Sequence, residues 1–451
     1  MKKYNSIHFI GIGGISMSAL AQIMLDKSVK VSGSDITKSH ITSLLKNKGA
    51  DIFIGHNEDN INEVELVVYS SAISNDNPEY KKALKKNIPL MERAVFLGEL
   101  MKDYYKSTAI SGTHGKTTTT GMLANIMMET DIDPTILLGG EYQAMDGNIR
   151  LGNKNYFLTE ACEYKKNFIN FNPYIGAVLN IEEDHLDYFK NLDEIKKAFV
   201  EFAQNIPDFG FLVYNADDNN QKKLYDNISC NLRSFGVNKG AYARAIDIKF
   251  TPYPSYDLFI QGEKICHIKL KVPGMHNIYN SLAAASCAYI SGAANCTIKN
   301  GLEKFSGTKR RFEYKGNYKN RILIDDYAHH PTEIKATLDS VSKLTEGDVL
   351  VVFQPHTYSR TEKLMKEFSK SFSSAKKVVI IDIYAAREKN DGNVSSIDLV
   401  ENLKQNNIDA VYKENFEKAA KYLIDNSSSK DIIITMGAGD VYKVGDIITN
   451  L

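Results

Sequence analysis

The chain has 451 residues, and its 55 Lys plus Arg balance 55 Asp plus Glu, giving a formal net charge of zero at pH 7. Hydrophobic residues make up 43% of the chain and charged residues 24%, which is typical of a soluble globular protein. The length exceeds one ordinary core and predicts two or three domains. The balanced charge gives no indication of a nucleic-acid or anionic-membrane partner.

The N-terminus and the cysteines indicate a cytoplasmic protein. Residues Met1–Lys3 run directly into a strand, without a signal peptide, and no apolar run approaches the length of a membrane span. The number of cysteines is odd and none are spaced as CxxC, which favours reduced thiols over disulfides or a zinc site. They are Cys162, Cys230, Cys266, Cys287 and Cys296. We therefore expect a cytoplasmic localisation and no membrane insertion.

Strands alternate with helices in three consecutive segments. The first has apolar strand runs at 6–10, 29–33 and 66–69, with a helical pattern at 17–24. The second has strands at 107–111, 156–159, 175–179 and 211–214, with a helix reaching residue 127. The third has strands at 322–324, 349–353, 378–381 and 432–435, with a helix after Pro331. This alternation predicts parallel sheets covered on both faces, and hence an α/β fold.

A phosphate-binding loop is the strongest local signal. Gly112, Thr113, His114, Gly115, Lys116, Thr117 and Thr118 follow a strand and open a helix. Backbone N–H groups and the helix dipole can hold phosphate oxygens there, with Lys116 reaching the terminal phosphates and Thr117 binding Mg²⁺. Only two residues separate the two glycines, unlike an ordinary P-loop, and a plain turn with a surface lysine is the alternative. The loop predicts ATP binding.

A second glycine loop, with Gly11, Gly13 and Gly14, follows the first strand, and Asp35 ends the next one. Ser16 stands where a dinucleotide fingerprint has its third glycine. The pattern supports an NAD-type domain about as well as another diphosphate binder, and a turn without a ligand remains open. Two phosphate loops in different segments suggest that two nucleotides are brought together.

Acidic and histidine side chains follow strands of the second segment. Glu160 and His185 lie at strand ends where Mg²⁺ on ATP could be held. For Glu182 and Glu183 we favour an acidic helix N-terminus instead.

Two further groups have alternative explanations. His276, Asn277 and Asn280 open an Ala-rich helix and suit an adenine edge, although helix capping also explains an Asn there. Residues 309–311 are either a solvated charge run or the source of an arginine that reaches the phosphates from a neighbouring domain.

Taken in order, these segments resemble the Mur ligases across essentially the whole chain. The segments that carry the resemblance are residues 11–18, 70–73, 112–118, 180–187, 276–277, 310–312, 325–331, 354–356 and 437–440. The resemblance implies three domains. They are a Rossmann-like UDP-sugar domain at 1–105, a central P-loop ATPase-type α/β domain at 106–310, and a Rossmann-like amino-acid domain at 311–451.

The resemblance also implies an activity: L-alanine is joined to the muramyl carboxylate of UDP-N-acetylmuramic acid, through an acyl phosphate made with ATP and Mg²⁺. It places the UDP-sugar at Gly11, Gly13, Gly14, Ser16, Asp35, His56, Ser70, Ser71 and Ala72. It places ATP at residues 112–118, His276, Asn277, Asn280 and Asp326, and Mg²⁺ at Thr117, Glu160 and His185. It gives catalytic roles to Lys116, His185, Arg311, His329 and Arg360, with His356 and Arg360 around alanine and the muramyl carboxylate.

Arg360 follows the strand at 349–353, and its guanidinium fork suits the alanine carboxylate. The alternative is a solvated side chain in the first turn of the next helix.

The chain departs from the family pattern in places. The family's Glu-Ala-Asp-Glu-Ser-Asp reads Glu160-Ala-Cys162-Glu163-Tyr164-Lys165 here, and Thr357 stands where many relatives have arginine. No lysine is assigned as carbamylated. A ligase for a preformed peptide and an NAD-dependent oxidoreductase remain the alternative functions, and we expect a monomer or weak homodimer.

Overall fold

The computed structural model describes residues 4–153, 155–386, 388–390 and 392–451. The predicted course of Met1–Lys3 lies outside these residues. The described residues form three sheets in chain order, of five, ten and six strands, and the predicted three-domain α/β fold is confirmed.

The N-terminal sheet is parallel, with strand order β3-β2-β1-β4-β5. Its elements are β1 Ser6–Ile10, α1 Ile15–Asp26, β2 Lys30–Asp35, α2 His40–Asn47, β3 Asp51–Ile54, β4 Leu66–Tyr69, α3 Pro78–Lys85, β5 Leu90–Glu92 and α4 Arg93–Met101. The connection from β3 to β4 carries the chain from one half of the sheet to the other, so the switch point lies between the neighbouring strands β1 and β4. Such a switch point leaves a crevice at the carboxyl ends of the strands.

The central sheet is mixed, with strand order β15-β14-β13-β12-β11-β10-β6-β9-β7-β8. Its elements are β6 Lys106–Ser111, α5 Lys116–Met128, β7 Thr135–Tyr142, β8 Gly147–Arg150, β9 Tyr156–Glu160, β10 Ile175–Val178, α6 Leu192–Gln204, β11 Phe211–Asn215, β12 Asn231–Gly236, β13 Ala243–Phe250, β14 Pro254–Ile260, β15 Glu263–Lys269, α7 Met275–Ile290 and α8 Asn295–Lys304.

The expectation of purely parallel sheets is wrong at the edges of the central sheet. The strand pairs β7–β8, β13–β14 and β14–β15 are antiparallel. Short connections such as the one between β14 and β15 permit only hairpins, because a parallel crossover needs a dozen or more residues. Strand β6 remains central and parallel to β9 and β10, so the loops after these three strands meet at one sheet edge.

The C-terminal sheet has strand order β16-β17-β21-β18-β19-β20 and is parallel except for β16. Its elements are β16 Glu313–Tyr318, β17 Arg321–Asp326, α9 Pro331–Val341, β18 Val349–Phe353, α10 Tyr358–Lys363, α11 Met365–Ser371, β19 Lys377–Ile380, α12 Ser396–Gln405, β20 Ala410–Tyr412, α13 Phe416–Asp425, β21 Ile432–Met436 and α14 Tyr442–Thr449.

Strand β18 explains why the apolar runs of this domain are continuous rather than alternating. Val349, Val351 and Phe353 pack into a core on one face of the sheet, and Leu350 and Val352 pack into a core on the other. A strand covered on both faces buries every side chain, and each such burial stabilises the fold by about 1.5–3 kcal/mol.

Among the described residues, no helix is both long and apolar enough to cross a membrane. Three short 3₁₀ segments, Glu58–Asn60, Gln143–Met145 and Tyr164–Asn170, complete the described elements.

Candidate active site

The phosphate-binding loop lies between β6 and α5, at the centre of the central sheet. Gly112 and Gly115 have φ of +139° and +84°, which favours glycine at both positions. A Cβ on Gly115 would also lie 2.5 Å from Asn280 Oδ1. No described side chain caps the first turn of α5, so its N–H groups remain available for an anion.

Lys116 opens α5 and is held by an acid that sequence analysis did not assign. Its Nζ donates to Thr113 O at 3.1 Å and to Glu163 Oε2 at 2.9 Å. Burial acts to lower the pKa of Lys116, but the Glu163 carboxylate raises it overall. Glu163 Oε1 also lies 3.5 Å from His185 Nε2. The sequence feature that could have predicted this role is that Glu163, three residues after Glu160, keeps the family's glutamate in a stretch that otherwise departs from the family pattern.

Thr117 and Glu160 present oxygen atoms to the same edge. Thr117 Oγ1 donates to Glu160 Oε2 at 3.0 Å, and Gly139 N–H donates to Glu160 Oε1 at 2.7 Å. Burial raises the pKa of Glu160. Hydroxyl and carboxylate oxygens are the ligands that suit Mg²⁺, so these residues fit the expected ion. His185, with Nε2 3.5 Å from Glu163 Oε1, offers a further ligand.

The interpretation of Glu182 and Glu183 as a helix N-terminus is wrong, because the next helix begins only at Leu192. Glu182 Oε2 instead lies 3.4 Å from His114 Nε2 and accepts from Thr332 Oγ1 at 2.7 Å. The backbone oxygen of Glu183 lies 3.1 Å from His330 Nε2. These contacts join the loop after β10 to the C-terminal domain.

His114 is an imidazolium between two carboxylates. Its Nδ1 lies 3.2 Å from Glu333 Oε1, opposite the contact with Glu182. Burial acts to lower the pKa of His114, but Glu333 and Glu182 raise it overall to about 10. One nitrogen each of His114 and His330 lies within 4.8 Å of a Glu182 oxygen, a spacing that a metal could use. Because each nitrogen of His114 faces a carboxylate, the protonated ring forms two ion pairs here. We therefore favour an ion-pair cluster over a metal site.

A cavity between α7 and α9 collects the residues assigned to the adenosine part of ATP. Its lining includes His114, Gly115, Thr118, His276, Asn277, Asn280, Arg311 and Asp326. Burial lowers the pKa of His276 to about 4, so its imidazole is neutral. Asn277 uses its amide within the helix end, donating to Pro273 O at 2.7 Å and accepting from Asn280 Nδ2 at 3.1 Å. Burial raises the pKa of Asp326 to about 6.

Arg311 reaches the phosphate region from the C-terminal side. It lines both the cavity between α7 and α9 and a second cavity containing Thr117 and Glu160. Its guanidinium lies 4.9 Å from the Tyr327 ring centroid. Arg310 differs, since its Nε donates to Asp325 Oδ2 at 3.0 Å. The charge run at 309–311 is therefore not simply solvated.

His356 and Arg360 follow β18, and His329, which follows β17, has its ring 5.7 Å from that of His356. Arg360 donates from Nη2 to Asp184 Oδ1 at 2.9 Å, and its Nη1 lies 3.1 Å from His356 Nδ1. With its side chain only 10% exposed, Arg360 is not the solvated residue of the alternative interpretation. Burial lowers the pKa of His329 to about 3 and that of His356 to about 4, so both rings are neutral.

The residues assigned to the UDP-sugar line one cleft at the β1–β4 switch point. They are Gly11, Gly14, Ser16, Asp35, His56, Ser70, Ser71 and Ala72. Gly13 lies beside them, and its N–H donates to Asp35 Oδ2 at 2.9 Å. Arg93, which the sequence analysis missed, also lines the cleft and donates to Ser16 Oγ at 3.1 Å. Its signal was an arginine directly after β5, at the carboxyl edge of the sheet.

Three Mur ligase family models match the chain in succession. The model described as Mur ligase family, catalytic domain, matches residues 6–105. The Mur ligase middle domain matches 110–288, and the Mur ligase glutamate ligase domain matches 310–439.

Curated relatives match over the full length. A UDP-N-acetylmuramate--L-alanine ligase of Acetivibrio thermocellus is 50% identical over 448 residues, covering 99% of this chain and 96% of the relative. One from Clostridium botulinum (strain Hall) is 49% identical over 450 residues, covering 100% and 98%.

Solved structures agree. The crystal structure of a UDP-N-acetylmuramate-alanine ligase from Thermotoga maritima has a TM-score of 0.83 at 28% identity and covers 99% of both chains. A murein peptide ligase from Psychrobacter arcticus has a TM-score of 0.74 at 23% identity, covering 99% of this chain and 98% of its own, a likeness of fold.

Proposed function

Since the chain belongs to the Mur ligase family, we propose that it joins L-alanine to the muramyl carboxylate of UDP-N-acetylmuramic acid, using ATP, in peptidoglycan precursor synthesis. The relatives named for this reaction are about half identical over nearly the whole chain. An NAD-dependent oxidoreductase would leave the loop at 112–118 without a role.

One geometric observation supports this reaction most directly. Thr117 and Glu160 of the central domain face Arg311 of the C-terminal domain across one cavity. Ile15 of the N-terminal glycine loop lines both that cavity and the UDP-sugar cleft. A sugar nucleotide in the cleft can therefore extend its carboxylate toward ATP on the phosphate loop.

The reaction has two steps. The muramyl carboxylate attacks the γ-phosphate of ATP, which gives an acyl phosphate and ADP. The amine of alanine then attacks the acyl carbon, and phosphate leaves from a tetrahedral intermediate. Lys116 and Arg311 donate hydrogen bonds to the phosphoryl oxygens in transfer, where preorganised cations stabilise the transition state most.

Lys116 must exchange its partner when ATP binds. Glu163 Oε2 accepts from the ammonium at 2.9 Å, and the γ-phosphate competes with Glu163 for that contact. Thr117 and Glu160 would hold one Mg²⁺ and His185 a second, and these ions would supply positive charge to offset that of the phosphates.

The C-terminal domain supplies the alanine site. Arg360 offers its guanidinium fork to the alanine carboxylate, in competition with Asp184. The neutral ring of His329 donates from Nδ1 to Tyr327 O at 3.0 Å, so its Nε2 accepts a hydrogen bond from the amine. His356 accepts from Arg360 at Nδ1 and orients the guanidinium. We place the domain boundaries at 1–105, 106–310 and 311–451, and propose a cytoplasmic enzyme that acts as a monomer or weak homodimer.

A coupled assay of ADP release tests the function. With UDP-N-acetylmuramic acid and ATP, L-alanine should support turnover, with glycine weaker, because one methyl group in an apolar pocket contributes about 1–3 kcal/mol. Turnover with a preformed peptide but not with L-alanine would establish the alternative ligase. A fluorescence titration showing that NADH binds the cleft and UDP does not would overturn the assignment.

A further inference from the structure

A fully buried carboxylate lies beneath the UDP-sugar cleft, outside the catalytic residues described above. Glu79, in the first turn of α3, has a side chain with 0% exposure. Its Oε2 accepts from Ser34 Oγ at 2.5 Å and lies 3.2 Å from His56 Nδ1, and its Oε1 accepts from Asn60 Nδ2 at 2.5 Å. Burial acts to raise the pKa of Glu79, but the His8 ring, with Nε2 3.8 Å from Oε2, and hydrogen bonds from Ser34 and Asn60 lower it overall. These contacts form a hydrogen-bonded network that stabilises an ionised carboxylate in a buried position.

The network determines which nitrogen of His56 carries hydrogen. Two oxygen atoms face Nδ1: Glu79 Oε2, and Ser34 Oγ at 2.9 Å. The hydroxyl hydrogen of Ser34 is already donated to Glu79, so both oxygens act as acceptors toward His56. Nδ1 must therefore be the donor, and in the neutral ring Nε2 keeps its lone pair.

The position of His56 in the cleft indicates which part of the ligand it meets. The diphosphate belongs at the glycine loop, at the N-terminus of α1. The muramyl part must run past Ile15 toward the cavity with Thr117 and Glu160. The nucleoside then takes the remaining lining of the cleft, which includes Ile36, His56 and Asn77. This step rests on the proposed function.

We propose that Glu79 is a positioning residue that holds His56 as a hydrogen-bond acceptor for uracil N3–H, so that the cleft selects uridine over cytidine nucleotides. Uracil carries a hydrogen on N3, which the His56 Nε2 lone pair accepts. Cytosine has a lone pair on N3, which would face the lone pair of His56. A site built to pair with a donor rejects a ligand that lacks it, because the buried acceptor is left unsatisfied.

Isothermal titration calorimetry with UDP and CDP tests this selectivity on the full chain. Wild type should bind UDP at least about tenfold more tightly than CDP. Glu79→Gln should bring the two affinities to within about threefold. The amide has a single acceptor oxygen and cannot satisfy both Asn60 and the Ser34–His56 pair, so the His56 tautomer is no longer held. The KM values for ATP and alanine should not change.

Glu58→Gln is the matched control. It neutralises a carboxylate that is 59% exposed and pairs with Lys82 on the outer side of α3, so the UDP preference should persist. If Glu79→Gln does not fold, His56→Phe serves instead, because it removes both ring nitrogens at a partly exposed position and should abolish the preference.

Nitrogen-15 NMR of labelled histidines in wild type gives an independent measurement. His56, assigned by comparison with His56→Phe, should show a protonated Nδ1 and an unprotonated Nε2 whose signal shifts when UDP binds. A protonated Nε2, or equal UDP and CDP affinities in wild type, would overturn the inference. If ADP release is normal but the UDP and CDP affinities are equal, only this inference is refuted. If UDP is preferred but ADP release does not depend on alanine, the proposed function is refuted and the base selectivity is retained.

Discussion

Arg360 and Asp184 form an ion pair between the C-terminal and central domains, and replacing each in turn tests how alanine is held. Arg360 donates to Asp184 Oδ1 from Nη2 at 2.9 Å and from Nε at 3.3 Å, and Nη1 lies 3.1 Å from His356 Nδ1. The two side chains are 10% and 8% exposed. Burial acts to raise the pKa of Asp184, but His185 and Arg360 hold it well below its usual range. Either the guanidinium binds the alanine carboxylate, or the pair only holds the domains together.

Arg360→Lys separates these roles. An ammonium keeps the charge but cannot present two parallel donors to alanine and a third to His356. One lost charge-assisted hydrogen bond costs about 1.5–3 kcal/mol, so the KM for alanine should rise about 10- to 150-fold. The KM for ATP should stay within about twofold. Asp184→Asn leaves the guanidinium free for alanine and should change the alanine KM by less than about threefold.

Steady-state ADP release, measured for both single variants and the double variant, gives the coupling between the two positions. Arg321→Lys is the matched control, because this arginine donates to Ser427 away from the site and should leave the alanine KM unchanged. The carboxylate-clamp role is refuted if Arg360→Lys leaves the alanine KM within twofold. It is also refuted if Asp184→Asn has the same effect and the double variant is no worse, since the pair would then act only between domains.

Two further predictions concern the phosphate-binding loop. Lys116→Ala should lower kcat about 100-fold or more, since one preorganised transition-state contact is lost, and wild-type ADP release from this variant would exclude the loop from the mechanism. The pKa of His114 is raised from 6.5 to about 10 in the folded protein. Its ion pairs therefore contribute fully to the free energy of unfolding below about pH 6.5, and this contribution is lost as the pH rises through 10. The difference in Tm between wild type and His114→Gln, followed by differential scanning fluorimetry, should therefore narrow from pH 6.5 to 10; a constant difference would contradict the assigned ion pairs.

Local features of the molecule were predictable from sequence alone. The loop at 112–118 follows β6 and opens α5 as expected, because glycine conformation, strand-end position and helix start are properties of neighbouring residues. Strands β18 and β21 were likewise evident as short continuous apolar runs, since a strand covered on both faces needs an apolar side chain at every position.

Only the tertiary structure decided which distant side chains meet. Glu182 lies 150 positions from Thr332, which donates to it, and Glu163 reaches Lys116 from 47 positions away. The grouping of Glu79 with Ser34 and His56 depends on the strand order β3-β2-β1-β4-β5. Hydrophobic periodicity and turn chemistry describe neighbours along the chain. The partners of a buried charge depend instead on strand order and on the approach of the domains. A buried charge needs an oppositely charged neighbour in space, and that neighbour can be distant in sequence.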